Sequence, residues 1–179
     1  VTGGAGGGAP IGGRVPFRAM ADDQQLPEGI TTGQDRDHVW ASGVVDAPAD
    51  AVFDFLRNPA NHPAISGDES VKGSRVGSRS LQLGDRFGMR MRQFGVPYRI
   101  TSKVTELEEG RRIAWRHLVG HTWRWELEPT DGGTRVTETF DMTTCRIPWA
   151  LRSQGYPGGH EGNVARSVAN VRDQFAGGS

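Results

Sequence analysis

The stretch TWRWELEPTDGGTRVTETFD, Thr122 to Asp141, decides the fold. It splits into two runs of period two around Asp131-Gly132-Gly133, a glycine-containing turn of the kind that reverses a chain between paired strands. In the first run Trp123, Trp125 and Leu127 share one face, joined by His121 just upstream, against Arg124, Glu126 and Glu128. In the second, Val136, Glu138 and Phe140 share a face that continues to Met142. One apolar face and one charged face describe an antiparallel hairpin that covers a core on one side only.

The same period extends upstream. GDRFGMRMRQF sets Phe87, Met89 and Met91 against Arg86, Arg90 and Arg92, and PYRITSKVTELE aligns Tyr98, Ile100, Ser102 and Val104. EEGRR, Glu108 to Arg112, reads as a turn with Gly110 left-handed, and RIAWRHL then brings Ile113, Trp115 and His117 into register. A weaker strand is expected near Val71 to Val76, and HVWASGVVD, His38 to Asp46, reads as the first strand.

Two helical segments flank this sheet. In APADAVFDFLRNP, Ala47 to Pro59, Pro48 suits a first helical turn and Asp50 suits its positive end. Val52, Phe53, Phe55 and Leu56 make the apolar stripe, Asn58-Pro59 stops the helix, and Ala60 to Ser66 has room for one more turn. His62 in this NHP segment lies either near the mouth of a cavity or, the plainer assignment, in a surface loop. Near the C-terminus a short apolar piece, WAL, is interrupted by GYPGG, and HEGNVARSVANVRDQFAG closes the chain as a helix with Val164, Val168, Val171 and Phe175 on one stripe.

The expected class is therefore α+β: a curved antiparallel sheet wrapped around a long C-terminal helix, with a short helix pair after the first strand. Residues 1–37 are expected to be a Gly-rich, polar tail without fixed shape, and residues 38–179 the folded domain. VTGGAGGGAPIGG, Val1 to Gly13, contains seven glycines but has no strand before it and has Pro10 and Pro16 where a helix would have to follow. It therefore cannot build a dinucleotide turn, and no Gly-Lys-Ser/Thr completes a P-loop. Met20 is the expected start of the native chain.

Lys plus Arg and Asp plus Glu both number 21, which removes the electrostatic footprint of a general nucleic-acid binder. A single cysteine, Cys145, fits a reducing compartment. No apolar run approaches the roughly 20 residues of a membrane span, so stable membrane insertion is not expected and a cytoplasmic protein, monomeric or weakly dimeric, is.

VDAPADAVFDFLRNPANHP and WRWELEPTDGGTRVTETFD resemble the first strand and helix, and the final hairpin, of the START-like or Bet v 1-like (SRPBCC) helix-grip superfamily. Within it the chain is similar to bacterial polyketide cyclase/dehydrase and lipid-transport-like proteins, over roughly residues 38–176. The phrases A-P-x-x-x-V-F and P-x-x-x-G-T-R-V carry a helix start and a hairpin; they speak to the fold and hardly to the ligand. GYPGG departs from the unbroken closing helix of many relatives. The resemblance implies an internal cavity for a hydrophobic small molecule.

By parity the cavity should be lined by Phe87, Met89, Met91, Tyr98, Ile100, Trp115, His117, His121, Trp123, Trp125, Glu138 and Phe140, and from the closing helix by Val164 and Val168. Binding of a lipid, polyketide or isoprenoid is the first expectation. A cyclase or dehydratase that uses Glu138 and a histidine, His117, as acid and base is the alternative, and a protein-interaction module the second. An inward Glu138 either carries a raised pKa suited to proton transfer or, the plainer reading, pairs with an arginine or sits at the wet end of the barrel. His117 and His121 lack the further ligands of a zinc site, no serine or cysteine sits in a nucleophile elbow, and no cofactor is expected. The outer arginines Arg86, Arg90, Arg92 and Arg124 either meet a partner or anionic headgroup or form a solvated face beside Glu126 and Glu128; the second is the plainer reading.

Overall fold

The computed structural model describes residues 25–177, except 94, 118 and 154. Its centre is an 8-stranded antiparallel sheet in the order β1-β2-β8-β7-β6-β5-β4-β3. The strands are β1 Thr31–Gln34, β2 His38–Val45, β3 Val71–Ser74, β4 Arg86–Gln93, β5 Val96–Glu108, β6 Arg112–His117, β7 Thr122–Thr130 and β8 Gly133–Asp141. Four helices accompany them: α1 Ala49–Leu56, α2 His62–Ile65, α3 Pro148–Arg152 and α4 Glu161–Phe175, with a 3-10 turn at Gly158–His160. This is the helix-grip arrangement expected from the order of periods.

The β7–β8 hairpin turns where its sequence places the turn. Gly133 has φ +121°, and a Cβ there would collide with the Val45 carbonyl oxygen, so glycine serves both the turn and the close passage of β2. Gly110, at φ +68°, supplies the left-handed residue of the β5–β6 turn. In the hairpin register Trp125 stands opposite Glu138 and Trp123 opposite Phe140, while Trp115 of β6 stands opposite Trp123.

α1 buries Val52, Phe53 and Leu56, and its half-buried Phe55 meets Phe175 of α4 edge-on with centroids 5.6 Å apart. α4 buries Val164, Ala165, Val168 and Val171 and rests on β2, where a Cβ on Gly43 would lie 3.3 Å from a Val168 methyl.

The folded region starts earlier than His38. Ile30 is buried, and Thr31–Gln34 pairs with β2 from Thr31 opposite Ser42 to Gln34 opposite Val39. TTGQ escapes a periodicity reading because an edge strand of polar residues has no apolar alternation to show. Its turn is fixed by the Asp35 carboxylate, which accepts the backbone N–H groups of Asp37 and His38 at 2.8 Å each. Residues 1–24 of the expected tail lie outside the described residues.

Candidate ligand cavity

Between the concave face of the sheet, α2 and α4 lies a cavity of about 910 Å³. This is near the upper end of the roughly 300–1,000 Å³ typical of small-molecule sites. Its apolar walls are Phe87, Met89 and Met91 from β4, Ile100 from β5, Trp115 from β6, Trp123 and Trp125 from β7, and Phe140 from β8. Alternation sends these side chains inward because every second residue of a strand faces the same side. Tyr98, His117, His121 and Glu138 line it too, so the strand residues singled out by parity meet around one space.

The helix residues do not. Val164 and Val168 are fully buried in the core and do not reach the cavity. An apolar stripe on α4 is drawn to the apolar face of the sheet, and the cavity receives the adjacent row, Asn163 and Ser167, preceded by His160. Their spacing of three and four marks a polar stripe on a helix that the sheet must grip, a signal legible in the sequence but not weighed there.

His62 lines the cavity and does not take the surface-loop position that was its plainer assignment. It is 5% exposed, on α2, and no loop residue. Its ring stacks on Trp115 at 4.7 Å and meets Phe87 edge-on at 5.5 Å, and its Nε2–H donates to the Leu56 carbonyl at 2.9 Å. With His117, His121 and His160, four of the chain's 5 histidines border one cavity. The His117 and His121 rings lie 4.7 Å apart across the β6–β7 turn. Phe140 lies beside two of the four, 5.1 Å from His121 and 4.9 Å from His160.

Burial keeps all four imidazoles neutral. Removal from water lowers the pKa of His62, His121 and His160 to about 4, and that of His117 to about 3 with help from the neighbouring His121. Burial acts in the opposite sense on Glu138, 4% exposed, and holds its carboxyl well above the usual carboxylate range. The Ser167 hydroxyl hydrogen-bonds to it and opposes this shift, while the Asp68 charge reinforces it. Ser167 in turn accepts the Gly67 N–H at 3.2 Å. The partner of Glu138 is thus a serine, not an arginine, and burial favours the protonated form of the carboxyl.

Several polar atoms on the cavity wall are buried without a partner: Ser102 Oγ, His121 Nδ1, Trp125 Nε1, Glu138 Oε2 and Asn163 Oδ1. An unmet buried donor or acceptor costs about 1–3 kcal/mol, so a guest with matching groups gains from meeting them. Among the described residues no cluster of three or more His, Cys, Asp or Glu side chains could hold a metal ion.

Gly67 holds the α2–β3 connection against α4. A Cβ there would run into the Asn163 carbonyl oxygen, and the Gly67 carbonyl already accepts from Arg166 Nε at 2.7 Å. Gly67→Ala is expected to destabilise the fold by about 2–3 kcal/mol through overpacking. Urea unfolding checks this; a cost under about 0.5 kcal/mol, the range of an innocuous surface change, would show that the two segments are not tightly apposed.

A curved sheet that grips a C-terminal helix around an aromatic-walled cavity defines the START/Bet v 1-like class of proteins. The chain belongs to the family described as polyketide cyclase / dehydrase and lipid transport, which residues 36–176 match. It is 33% identical over 181 residues to the uncharacterized protein Rv0088 of Mycobacterium tuberculosis, covering 93% of this chain and 80% of that one. Among solved structures it is similar to a Rhodobacter sphaeroides protein, with TM-score 0.65 and 17% identity over 84% of this chain and 99% of that one. A protein from Arthrobacter aurescens has TM-score 0.62 and 14% identity over 80% of this chain and 91% of that one. At such identities these two structures speak for the fold alone. No helix among the described residues is long and apolar enough to cross a membrane.

Proposed function

We propose that this protein binds and sequesters or carries a hydrophobic small molecule, such as a lipid, polyketide or isoprenoid, in the cytoplasm and as a monomer or weak homodimer. The observation that supports it most is the cavity of about 910 Å³ walled by Trp115, Trp123, Trp125, Phe87 and Phe140. Large rigid rings favour a flat guest, and Met89 and Met91 supply a wall that adapts to its outline. Native mass spectrometry of protein from its own host is expected to show a co-purified apolar guest, and the apo protein to take up an apolar fluorescent probe. Protein that carries no guest and takes up no such probe would sink this reading.

A second reading has its own support. Glu138 is a carboxyl whose pKa burial raises, with a free oxygen, Oε2, and it shares the cavity with the neutral His117 and His121. A proton donor and neutral bases in one apolar space suit the enolisation and dehydration steps of a polyketone cyclase. Glu138→Gln keeps the shape and removes the acid. It is expected to leave probe uptake within about twofold of the parent, since most of the contact is apolar. If the protein turns over a polyketone and the variant loses that turnover while binding normally, the catalytic reading holds.

A further inference from the structure

In a closed sheet only every second side chain of a strand faces the concave side. Six consecutive residues of β5, Tyr98 to Lys103, nevertheless border the cavity, and Arg99, Thr101 and Lys103 among them have outward parity. The strand pairing accounts for this. β4 accompanies β5 from Val96 to Lys103, but β6 joins it only from Ser102, which stands opposite His117. β6 ends there: the His117 N–H donates to the His121 carbonyl at 3.1 Å and closes the β6–β7 hairpin. Val96 to Thr101 overhang that hairpin, and the peptide groups they turn toward it meet no strand. Val119, just beyond the end of β6, borders the cavity as well. The sheet is thus notched between Tyr98 to Thr101 and Val119, and the cavity passes through the notch to the outer face.

The notch is cationic. Arg86, Arg99, Lys103, Arg116 and Arg146 all border the cavity. Arg86 stands opposite Lys103 and Lys103 opposite Arg116, while the Arg146 N–H donates to the Val119 carbonyl at 3.1 Å. Like charges directly across a sheet are destabilising. Among the described residues none of these five has a carboxylate within ion-pair distance, whereas Arg57, Arg112 and Arg124 elsewhere each have one. The plainer reading of a solvated face with acidic neighbours therefore holds for Arg124, which pairs with Glu106 at 2.7 Å, but not for Arg86.

The acids of the cavity wall lie elsewhere. Glu138 points inward from β8, three strands away from β5 in the sheet order. Asp68 belongs to the α2–β3 connection on the concave side, where it accepts from the Ser66 hydroxyl at 3.0 Å and the Ser70 N–H at 2.9 Å. An anion inside the cavity is therefore drawn to the notch and away from the concave side. A cleft with low-dielectric walls and one sign of charge concentrates that preference.

We propose that the guest is an anionic amphiphile: its apolar body fills the aromatic cavity, and its carboxylate or phosphate seats in the notch, held by Arg99, Lys103 and Arg116. Guanidinium forks match the oxygens of either anion, and the lysine adds a point charge between the two arginines. The row of like charges, unfavourable when empty, gains a counter-charge when the guest arrives. Because the anion has one seat and the apolar walls lie on the other side of the sheet, the guest is held in a single orientation. The proposal rests on the binding reading and narrows it, since an uncharged guest of the same shape leaves the notch unused.

The test titrates the full chain with two fluorescent dyes that share one ring system, neutral phenylnaphthylamine and its sulfonated form, anilinonaphthalene sulfonate. The sulfonate is expected to bind at least about tenfold more tightly, and its affinity alone to fall as salt is raised. Decyl phosphate and decanoate should each displace it at least about tenfold better than decanol, and the stronger of the two identifies the preferred anion. Arg99→Gln with Arg116→Gln is expected to weaken the sulfonate about tenfold and the neutral dye by less than about twofold. Both side chains are exposed, so the thermal midpoint should hold. Arg111→Gln with Arg135→Gln, the same change of charge away from the cavity, should alter neither affinity. Equal binding of the two dyes, displacement by decanol as good as by the anions, or an effect of the control pair equal to that of the notch pair would overturn the proposal. In each of those cases the binding reading stands. Uptake of neither dye would remove both.

Discussion

Lowering the pH from about 7 to 5 is expected to cost this protein several kcal/mol of stability, the signature of histidines buried in neutral form. In the folded state His62, His121 and His160 have pKa values of about 4 and His117 of about 3, against an ordinary value of 6.5. Between these limits the unfolded chain binds protons that the native protein does not. Stability is therefore full above the unfolded pKa and is lost as pH falls through the window toward the folded values. At full slope each such group costs about 1.4 kcal/mol per pH unit. Two of the four acting independently would remove about 4 kcal/mol by pH 5, out of a typical total of about 5–15 kcal/mol. Glu138 has the opposite sign. Its raised pKa means that the native protein holds a proton the unfolded chain has released, so its contribution improves as pH falls and offsets part of the loss. Urea unfolding across this range checks the net slope. His62→Phe, which keeps an aromatic ring beside Trp115, should reduce that slope by about one proton, and Glu138→Gln should steepen it. A stability that stays flat between pH 7 and 5 would show that the imidazoles are hydrated and not desolvated.

The sheet and its grip on the closing helix were legible because their signal is repeated. Alternation over β4 to β8 is set by one apolar face that must be covered, and Gly110 and Asp131-Gly132-Gly133 mark where the chain reverses. The aromatic and apolar strand residues of the cavity followed from the same parity, whereas Arg86, Arg99, Lys103 and Arg116, which also line it, did not. What was not legible depended on contacts between distant segments. Thr31–Gln34 becomes a strand only because β2 offers it a free edge. His62 is buried only because Trp115 and Phe87 arrive from β6 and β4 to enclose it. Val164 and Val168 show the limit of amphipathicity as a guide to a site. It shows which side of a helix is apolar, but the apolar side seeks the densest packing, and in a helix that borders a cavity this is the side away from it.

That distinction bears on the electrostatics of the site. Had Val164 and Val168 faced the cavity, Glu138 would have met an apolar helix surface. It meets Ser167 instead, which is itself engaged by Gly67, so the carboxyl is held in place by a short relay from the α2–β3 connection through α4. The carboxyl is thus positioned by a helix face that carries polar residues at a spacing of three and four, and the apolar walls belong almost wholly to the strands.

Phe140→Ala is expected to be the most damaging single truncation in the cavity wall, at about 3–5 kcal/mol. The ring is fully buried, and it touches both the hairpin and the segment between α3 and α4. It meets Trp123 edge-on at 4.9 Å, and lies 5.8 Å from Tyr156 and 4.9 Å from His160. Truncation removes the transfer energy of a large apolar group and several ring contacts, each worth about 0.5–1.5 kcal/mol beyond its area. For a domain of this size the thermal midpoint should fall by roughly 2–4 °C per kcal/mol, or about 6–20 °C in all. Phe140→Leu, which restores most of the volume but not the ring contacts, should recover much of the stability. It should still loosen the α3–α4 segment, visible as faster amide exchange at Tyr156 to His160. A loss below about 1 kcal/mol for the alanine variant would mean that the neighbouring rings close over the gap, and that the cavity wall is softer than its packing indicates.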